Sequence, residues 1–363
     1  MYVLFVLFCG TLFWGQSSRG ETFKPPFCNP LAHNVDEVLL SAAAAKMSLS
    51  KLKPLSSAKE SVSERLAVMM IFGHGFLPSS GTDRVPFLQC ALKKLYLNML
   101  PKTPLDVFIW VPEASMAHIP QWIKNETAYP RTVVMPIINT TWLVPCGLRD
   151  DSQWPLRKHF NVEYHIMGRW RLTFAFDFVK AMGYKYYLQY DDDAMLNNFL
   201  DFNIVSKFQN ASYKMGVFSD SIGEVAHVAI GIAELTRYWL TISHYLPQGT
   251  LFNHLTPKNM EGLYSNPGSR GGWDRYYHPA YFVVTSIDFW YEDLVQDYLT
   301  TILKLGRDVE GRWLEQIVQN MIRLVFIPSE RLWVMNEVDI GHDRHKRANF
   351  ENWCGRFQLS PSV

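Results

Sequence analysis

The chain lacks an excess of either charge: 35 Lys and Arg face 34 Asp and Glu, a net charge of +1 over 363 residues. This balance excludes bulk attraction to nucleic acid or an anionic membrane, so an anionic ligand must be held by a local cluster. Cysteine is scarce, with five in all. Setting Cys9 of the leader aside leaves Cys28, Cys90, Cys146 and Cys354, too far apart for a zinc cluster, which needs closely spaced pairs. One or two disulfides are expected, and sequence chooses none of the three pairings. Internal repeats are absent. So is a long apolar run: Tyr2–Trp14 is apolar apart from Gly10 and Thr11, and its roughly 13 residues fall short of the roughly 20 that cross a bilayer. No Lys or Arg precedes it. The length fits a signal peptide ending near Gly15-Gln16-Ser17-Ser18, with a short uncleaved membrane anchor as the alternative. Both deliver the chain to the secretory pathway, the lumen of the Golgi or endoplasmic reticulum. The sequons Asn125-Glu126-Thr127, Asn139-Thr140-Thr141 and Asn210-Ala211-Ser212 suit that compartment.

The chain does have abundant core-forming residues, 48% hydrophobic and 14% aromatic. We divide it into a leader at 1–18, a stem or linker at 19–60 and one catalytic domain at 61–363. Lys24-Pro25-Pro26, the Ala42–Ala45 run and scattered Ser and Lys mark the stem. From Glu64 the pattern is α/β. Leu66–Phe72 is an apolar run of the kind buried in a parallel sheet, and Leu105–Val111 and Arg131–Pro136 read as two further strands. Between them Phe87, Ala91, Leu92, Leu95 and Met99 recur at helical spacing behind Pro86. Leu172–Met182 reads as a helix stopped by Gly183, followed by the strand Tyr184–Tyr190. Later helices are expected over Phe289–Leu305 and Trp313–Leu324. The fold class is α/β: a mostly parallel central sheet flanked by helices.

Three clusters can carry chemistry. Asp191-Asp192-Asp193 follows the Tyr184–Tyr190 strand at its carboxyl end, where open α/β sheets bind ligands. Asp-x-Asp in extended backbone points two carboxylates to one side, leaving Asp192 on the other, and hard divalent cations take carboxylate oxygens. An isolated acidic triplet is ordinarily a solvated turn; the apolar, aromatic strand before it favours metal. The second cluster, Gly341 to Arg347, offers His342 and His345 as metal ligands, although its composition alone reads slightly more readily as a basic surface loop with incidental histidines. The third, Tyr164 to Arg171, offers Arg169 and Arg171 for bidentate recognition of a diphosphate, or a helix start with exposed arginines. Ser269-Arg270-Gly271-Gly272-Trp273 reads as a mobile loop with an aromatic tip, or an ordinary connection.

The order of these pieces resembles the fungal α-1,2-mannosyltransferases, glycosyltransferase family 15. That family carries Tyr-Arg-His-Met-Cys-Arg-Phe, then Tyr-Tyr-Trp-Arg-Val-Glu-Pro-Asp, an Asp-Phe-Trp helix start, an Arg-Trp pair and a late Gly-Tyr-His-His. The matching stretches here are Tyr164 to Trp170, Tyr186 to Asp193, Asp288-Phe289-Trp290, Arg312-Trp313 and Asp339-Ile340-Gly341-His342. The likeness runs from about Glu64 to Cys354. It implies a nucleotide-diphospho-sugar transferase (GT-A-like) fold, Mn²⁺, and a nucleotide-sugar donor, GDP-mannose. It also implies Tyr164 as the active-site tyrosine, Arg169 as the motif arginine, Asp191 on the metal and Asp193 as the motif Asp. Asp192 joins Arg169 and Arg171 on the cofactor side. A metal-ligating histidine belongs near Gly341, and neither His342 nor His345 stands in its register. Val283 occupies the place of the family's proposed nucleophilic Glu, and valine can neither form a glycosyl ester nor stabilise an oxocarbenium ion.

The expected function is a metal-dependent retaining glycosyltransferase acting on a glycan or glycoprotein acceptor. With Val283 in place, retention implies a front-face route in which the departing phosphate deprotonates the acceptor hydroxyl. A catalytically inactive carbohydrate- or nucleotide-sugar-binding protein of the same fold is the alternative. A metal-dependent hydrolase is disfavoured, because no second carboxylate cluster completes a two-metal site.

Overall fold

The computed structural model describes residues 35–52, 61–76, 84–145, 148, 154, 161–219, 222–224, 228–255, 273–342 and 354. The leader and His345 lie outside them.

Apolar runs with no polar alternation can be buried only when both faces of a sheet are covered. Strand β1 (Leu66–Ile71) follows that rule: all six of its residues are buried. It pairs in parallel with β2 (Leu105–Pro112) on one side and β4 (Tyr186–Tyr190) on the other, and β3 (Thr132–Ile137) continues in parallel beyond β2. Past β4 come β9 (Phe282–Ser286), β6 (Met215–Phe218) and β10 (Leu332–Met335), while β7 (Ile222–Gly223) and β8 (Tyr276–Tyr277) form a separate antiparallel pair. β9 runs antiparallel to both β4 and β6, while β10 is parallel to β6. The sheet is therefore mostly parallel, with one reversed strand in its middle.

Helices cover both faces. Alternate β1 residues Ala67, Met69 and Ile71 face a core shared with α1 (Val35–Ser50), α4 (Phe174–Met182), α7 (Asp293–Lys304) and α8 (Glu315–Phe326). Leu66, Val68 and Met70 face the other core, built with α2 (Val85–Asn98) and α5 (Ile204–Ala211). α3 (Val162–Leu172) precedes α4, and α6 (Ile232–Ser243) lies between β6 and β9 in the chain. Aromatic rings fill much of the first core: Trp170 stacks on Phe174 at 5.0 Å, and Phe176 lies flat on Trp290 at 3.9 Å. Each such pair contributes about 0.5–1.5 kcal/mol beyond area burial.

Three expectations need correction. Residues 35–50 are not linker: Val38, Ala42, Ala45 and Leu49 repeat at helical spacing and bury one side of α1 against the domain. The helix expected over Leu172–Met182 is broken from α3 at Thr173, whose hydroxyl turns back onto Arg169 O at 2.8 Å. Trp273 is no loop tip; it is 1% exposed and belongs to the core. Gly183 does stop α4, at φ 91°, which glycine adopts without penalty, and Tyr184 N–H then caps Val179 O at 3.2 Å. Among the described residues a disulfide joins Cys90 on α2 to Cys354; Cys28 and Cys146 lie outside them.

Candidate functional site

In the seven-stranded order β10-β6-β9-β4-β1-β2-β3, connections leave β1 towards β2 on one side while β4 stands on the other. The order reverses between β1 and β4, and the crevice outside the carboxyl ends of such strands is where α/β sheets bind ligands. A cavity of about 490 Å³ opens there. Gly73 and His74 line it just beyond β1, Asp191, Asp192 and Asp193 just beyond β4, and Tyr281 just before the reversed β9.

Asp191 and Asp193 converge, though not by strand alternation. Residues 192 and 193 form a turn, closed by Ala194 N–H to Asp191 O at 3.1 Å. The turn leads into β5 (Ala194–Leu196), which pairs antiparallel with β11 (Ile340–His342), placing His342 opposite Ala194. That two-stranded ribbon brings His342 to the triplet from 149 residues beyond Asp193. Its Nε2 lies 3.1 Å from Asp193 Oδ1 and 3.5 Å from Asp191 Oδ2. Tyr281 stacks on the imidazole at 4.5 Å and 7°, fixing the ring plane. One ligand atom from each of Asp191, Asp193 and His342 falls within 4.8 Å of the others. Two carboxylate oxygens and an imidazole nitrogen form a donor set suited to Mn²⁺ and similar cations. His345, the other expected histidine, lies outside the described residues.

Charge in the site is balanced by two arginines. Arg171 Nη2 donates to Asp191 Oδ1 and Nη1 to Glu315 Oε1, each at 2.7 Å. Burial alone would raise Asp191, but Arg171 and His342 hold it well below the usual carboxylate range. Burial would likewise lower His342; its hydrogen bonds to Asp191 and Asp193 and their charges prevail and push it up to about 9. Arg84 Nη2 reaches Asp192 at 3.1 and 3.3 Å and Asp193 at 3.1 Å. Asp192 itself is raised, chiefly by burial, with Arg84 opposing and its acidic neighbours adding. It lines the same cavity as Asp191 and Asp193, correcting the expectation that it faces away: the turn ends the strand's two-residue alternation.

Tyr164 lines the cavity from α3, whose N-cap Asn161 accepts from Tyr164 N–H at 2.9 Å. Arg171 lines it too, two turns further along the same face of the helix. Arg169 does not. It is buried, both Nη1 contacts to Asp308 are 3.0 Å, and Nη2 donates to Leu303 O at 3.3 Å. A diphosphate cannot reach a guanidinium so enclosed, which corrects its expected role. Val283 is buried in the sheet beside Gln189, so no carboxylate projects from that point of β9.

The sequence reading missed Arg84 and Glu315. Arg84 sits at the N-cap of α2, more than a hundred residues before the triplet; only Pro86 marked that helix start. Glu315 opens α8, separated from the Arg312-Trp313 pair only by the N-cap Leu314. Neither carries a local pattern that announces a site.

The sheet order and the carboxyl-end site define the nucleotide-diphospho-sugar transferase (GT-A-like) fold. No family model and no curated protein sequence matches the chain. Among solved structures, it is similar to core-mannan synthase A (CmsA/Ktr4) of Aspergillus fumigatus in its Mn/GDP form. The TM-score is 0.65 at 12% identity, covering 80% of this chain and 76% of that one. It is also similar to the mannosyltransferase Ktr4p of S. cerevisiae in complex with GDP, with a TM-score of 0.63 at 12% identity, covering 88% and 82%. The fold is that of these fungal mannosyltransferases.

Proposed function

We propose that the protein is a metal-dependent retaining glycosyltransferase that moves mannose from GDP-mannose to a hydroxyl of a glycan or glycoprotein in the secretory pathway. One observation carries this reading: Asp191, Asp193 and His342 converge at the carboxyl end of β4, in a fold shared with a mannan synthase solved in its Mn/GDP form. Mn²⁺ held by those three side chains would neutralise the charge that develops on the departing diphosphate.

The chain's own residues do the rest. Arg171 keeps Asp191 ionised and fixed in orientation. Tyr164, on the capped first turn of α3 and lining the cavity, orients the reacting groups. The acceptor oxygen bonds to the anomeric carbon on the face the nucleotide leaves. The anomeric C–O electrons go to the diphosphate, whose oxygen takes the acceptor's proton. With valine at 283, no glycosyl ester forms on β9. Exposure of Asn125, Asn139 and Asn210 supports lumenal residence, since each sequon is open to glycosylation. No helix among the described residues is long and apolar enough to cross a membrane; Tyr2–Trp14 is proposed as a signal peptide, with a short uncleaved anchor as the alternative.

Val283 also favours a second reading, an inactive nucleotide-sugar-binding protein. The two separate in one assay. Incubated with GDP-mannose and mannoside acceptors, the protein should release GDP only with divalent metal, and Asp191→Ala should abolish release. Turnover that persists in Asp191→Ala refutes the metal role. Metal-dependent binding with no turnover on any acceptor selects the inactive reading.

A further inference from the structure

Of the two arginines on the cavity wall, Arg84 is the less completely engaged. All its contacts with the triplet leave from one nitrogen, Nη2, while Nε is buried with no partner among the described residues. A guanidinium has five N–H donors in a fixed fork, and a buried donor left unmatched is costly. Its side chain is 27% exposed, against 7% for Arg171, so it alone of the two is placed to move. It stands at the start of the 14-residue helix α2, next to the backbone N–H groups that favour anions.

Asp193 shows why Arg84 should move. Its Oδ1 faces His342 at 3.1 Å and its Oδ2 faces Arg84 at 3.1 Å. A divalent cation held by Asp191, Asp193 and His342 would share a carboxylate with the guanidinium, placing two positive groups on opposite oxygens of one carboxylate. Their repulsion weakens the arginine's hold, as like charges do at short range.

We infer that Arg84 is a placeholder cation, which neutralises Asp192 and Asp193 while the metal is absent and turns its unmatched donors onto the nucleotide's diphosphate when metal and nucleotide are bound. This rests on the metal and nucleotide reading above, and assigns to Arg84 the phosphate contact that Arg169 cannot make. The arginine then competes with metal and cooperates with nucleotide, so its removal must move the two affinities in opposite directions.

The test measures Mn²⁺ affinity without nucleotide, by electron paramagnetic resonance, and GDP affinity at saturating Mn²⁺, by titration calorimetry. Arg84→Gln should bind Mn²⁺ roughly tenfold tighter, within the usual range of coupling between sites. It should bind GDP roughly 10- to 100-fold more weakly, as expected for lost hydrogen bonds to a charged group. Arg84→Lys keeps the charge but loses the fork, so Mn²⁺ affinity should stay near wild type while GDP affinity falls. If Arg84→Gln weakens both, the arginine only props up the triplet; if it changes neither, it touches no ligand. Either result overturns the inference. Wild-type protein that binds neither Mn²⁺ nor GDP would instead remove the functional reading on which it stands.

Discussion

Asp106 is fully buried at the amino end of β2, and replacing it with Asn tests how this sheet is secured. Its Oδ1 accepts from Arg65 Nε at 3.0 Å and from Arg131 Nε, and its Oδ2 accepts from Arg131 Nη2 at 3.1 Å and from the Tyr184 hydroxyl. One carboxylate thus ties the segments entering β1, β2, β3 and β4. Asparagine keeps the shape but loses the charge and one acceptor, leaving Arg65, 6% exposed, without its counter-ion. Breaking a buried pair from one side costs about 3–5 kcal/mol, or roughly 6–10 °C in melting temperature for a domain of this size. The loss also depends on pH. Burial would raise Asp106, but Arg131 and Arg65 prevail and lower it. Its contribution is therefore present above the unfolded carboxylate value of about 3.9 and is lost as pH falls through the lower native value. Thermal melts of wild type and Asp106→Asn from pH 7 to pH 3 should differ most at pH 7 and converge in acid. Because Asp106 is at the end of the sheet opposite the cavity, GDP affinity of the folded variant should be unchanged. A melting temperature within a degree of wild type at pH 7, or a gap that widens in acid, would refute the reasoning.

Arg169→Met should cost a comparable 3–5 kcal/mol in thermal melts by stranding buried Asp308, with GDP affinity unchanged by calorimetry. Gly249→Ala should destabilise by about 1–3 kcal/mol or more, because its β-carbon would lie 2.3 Å from Leu324 O, a backbone atom unable to yield cheaply. Reducing the Cys90–Cys354 bond, which closes a loop with a sequence separation of 264, should lower stability by up to about 5 kcal/mol on loop entropy, read as a drop in melting temperature on adding dithiothreitol.

The strands were legible because their apolar runs are buried on both faces. Leu66–Ile71 and Leu105–Pro112 lie within a residue of their expected bounds. Asp191 and Asp193 stood out because an acidic triplet directly follows such a strand. Less could be read where distant segments meet. His342 reaches the triplet only through β5–β11 pairing, a short ribbon with no alternation to announce it. Arg84 and Glu315 approach from helix starts whose sequences signal helix and not chemistry. Arg169 misled because an arginine in a motif carries no mark of burial; its partner Asp308 is 139 residues further on. Reversal of β9 was equally hidden, since an apolar run does not encode its direction.

Mn²⁺ electron paramagnetic resonance on wild type, Asp191→Ala and His342→Ala, with and without GDP, tests the central claim most directly. The account predicts one bound Mn²⁺ per wild-type chain, sharpened or tightened by GDP, and a loss of that ion in both variants. Unchanged Mn²⁺ binding in Asp191→Ala and His342→Ala would contradict it.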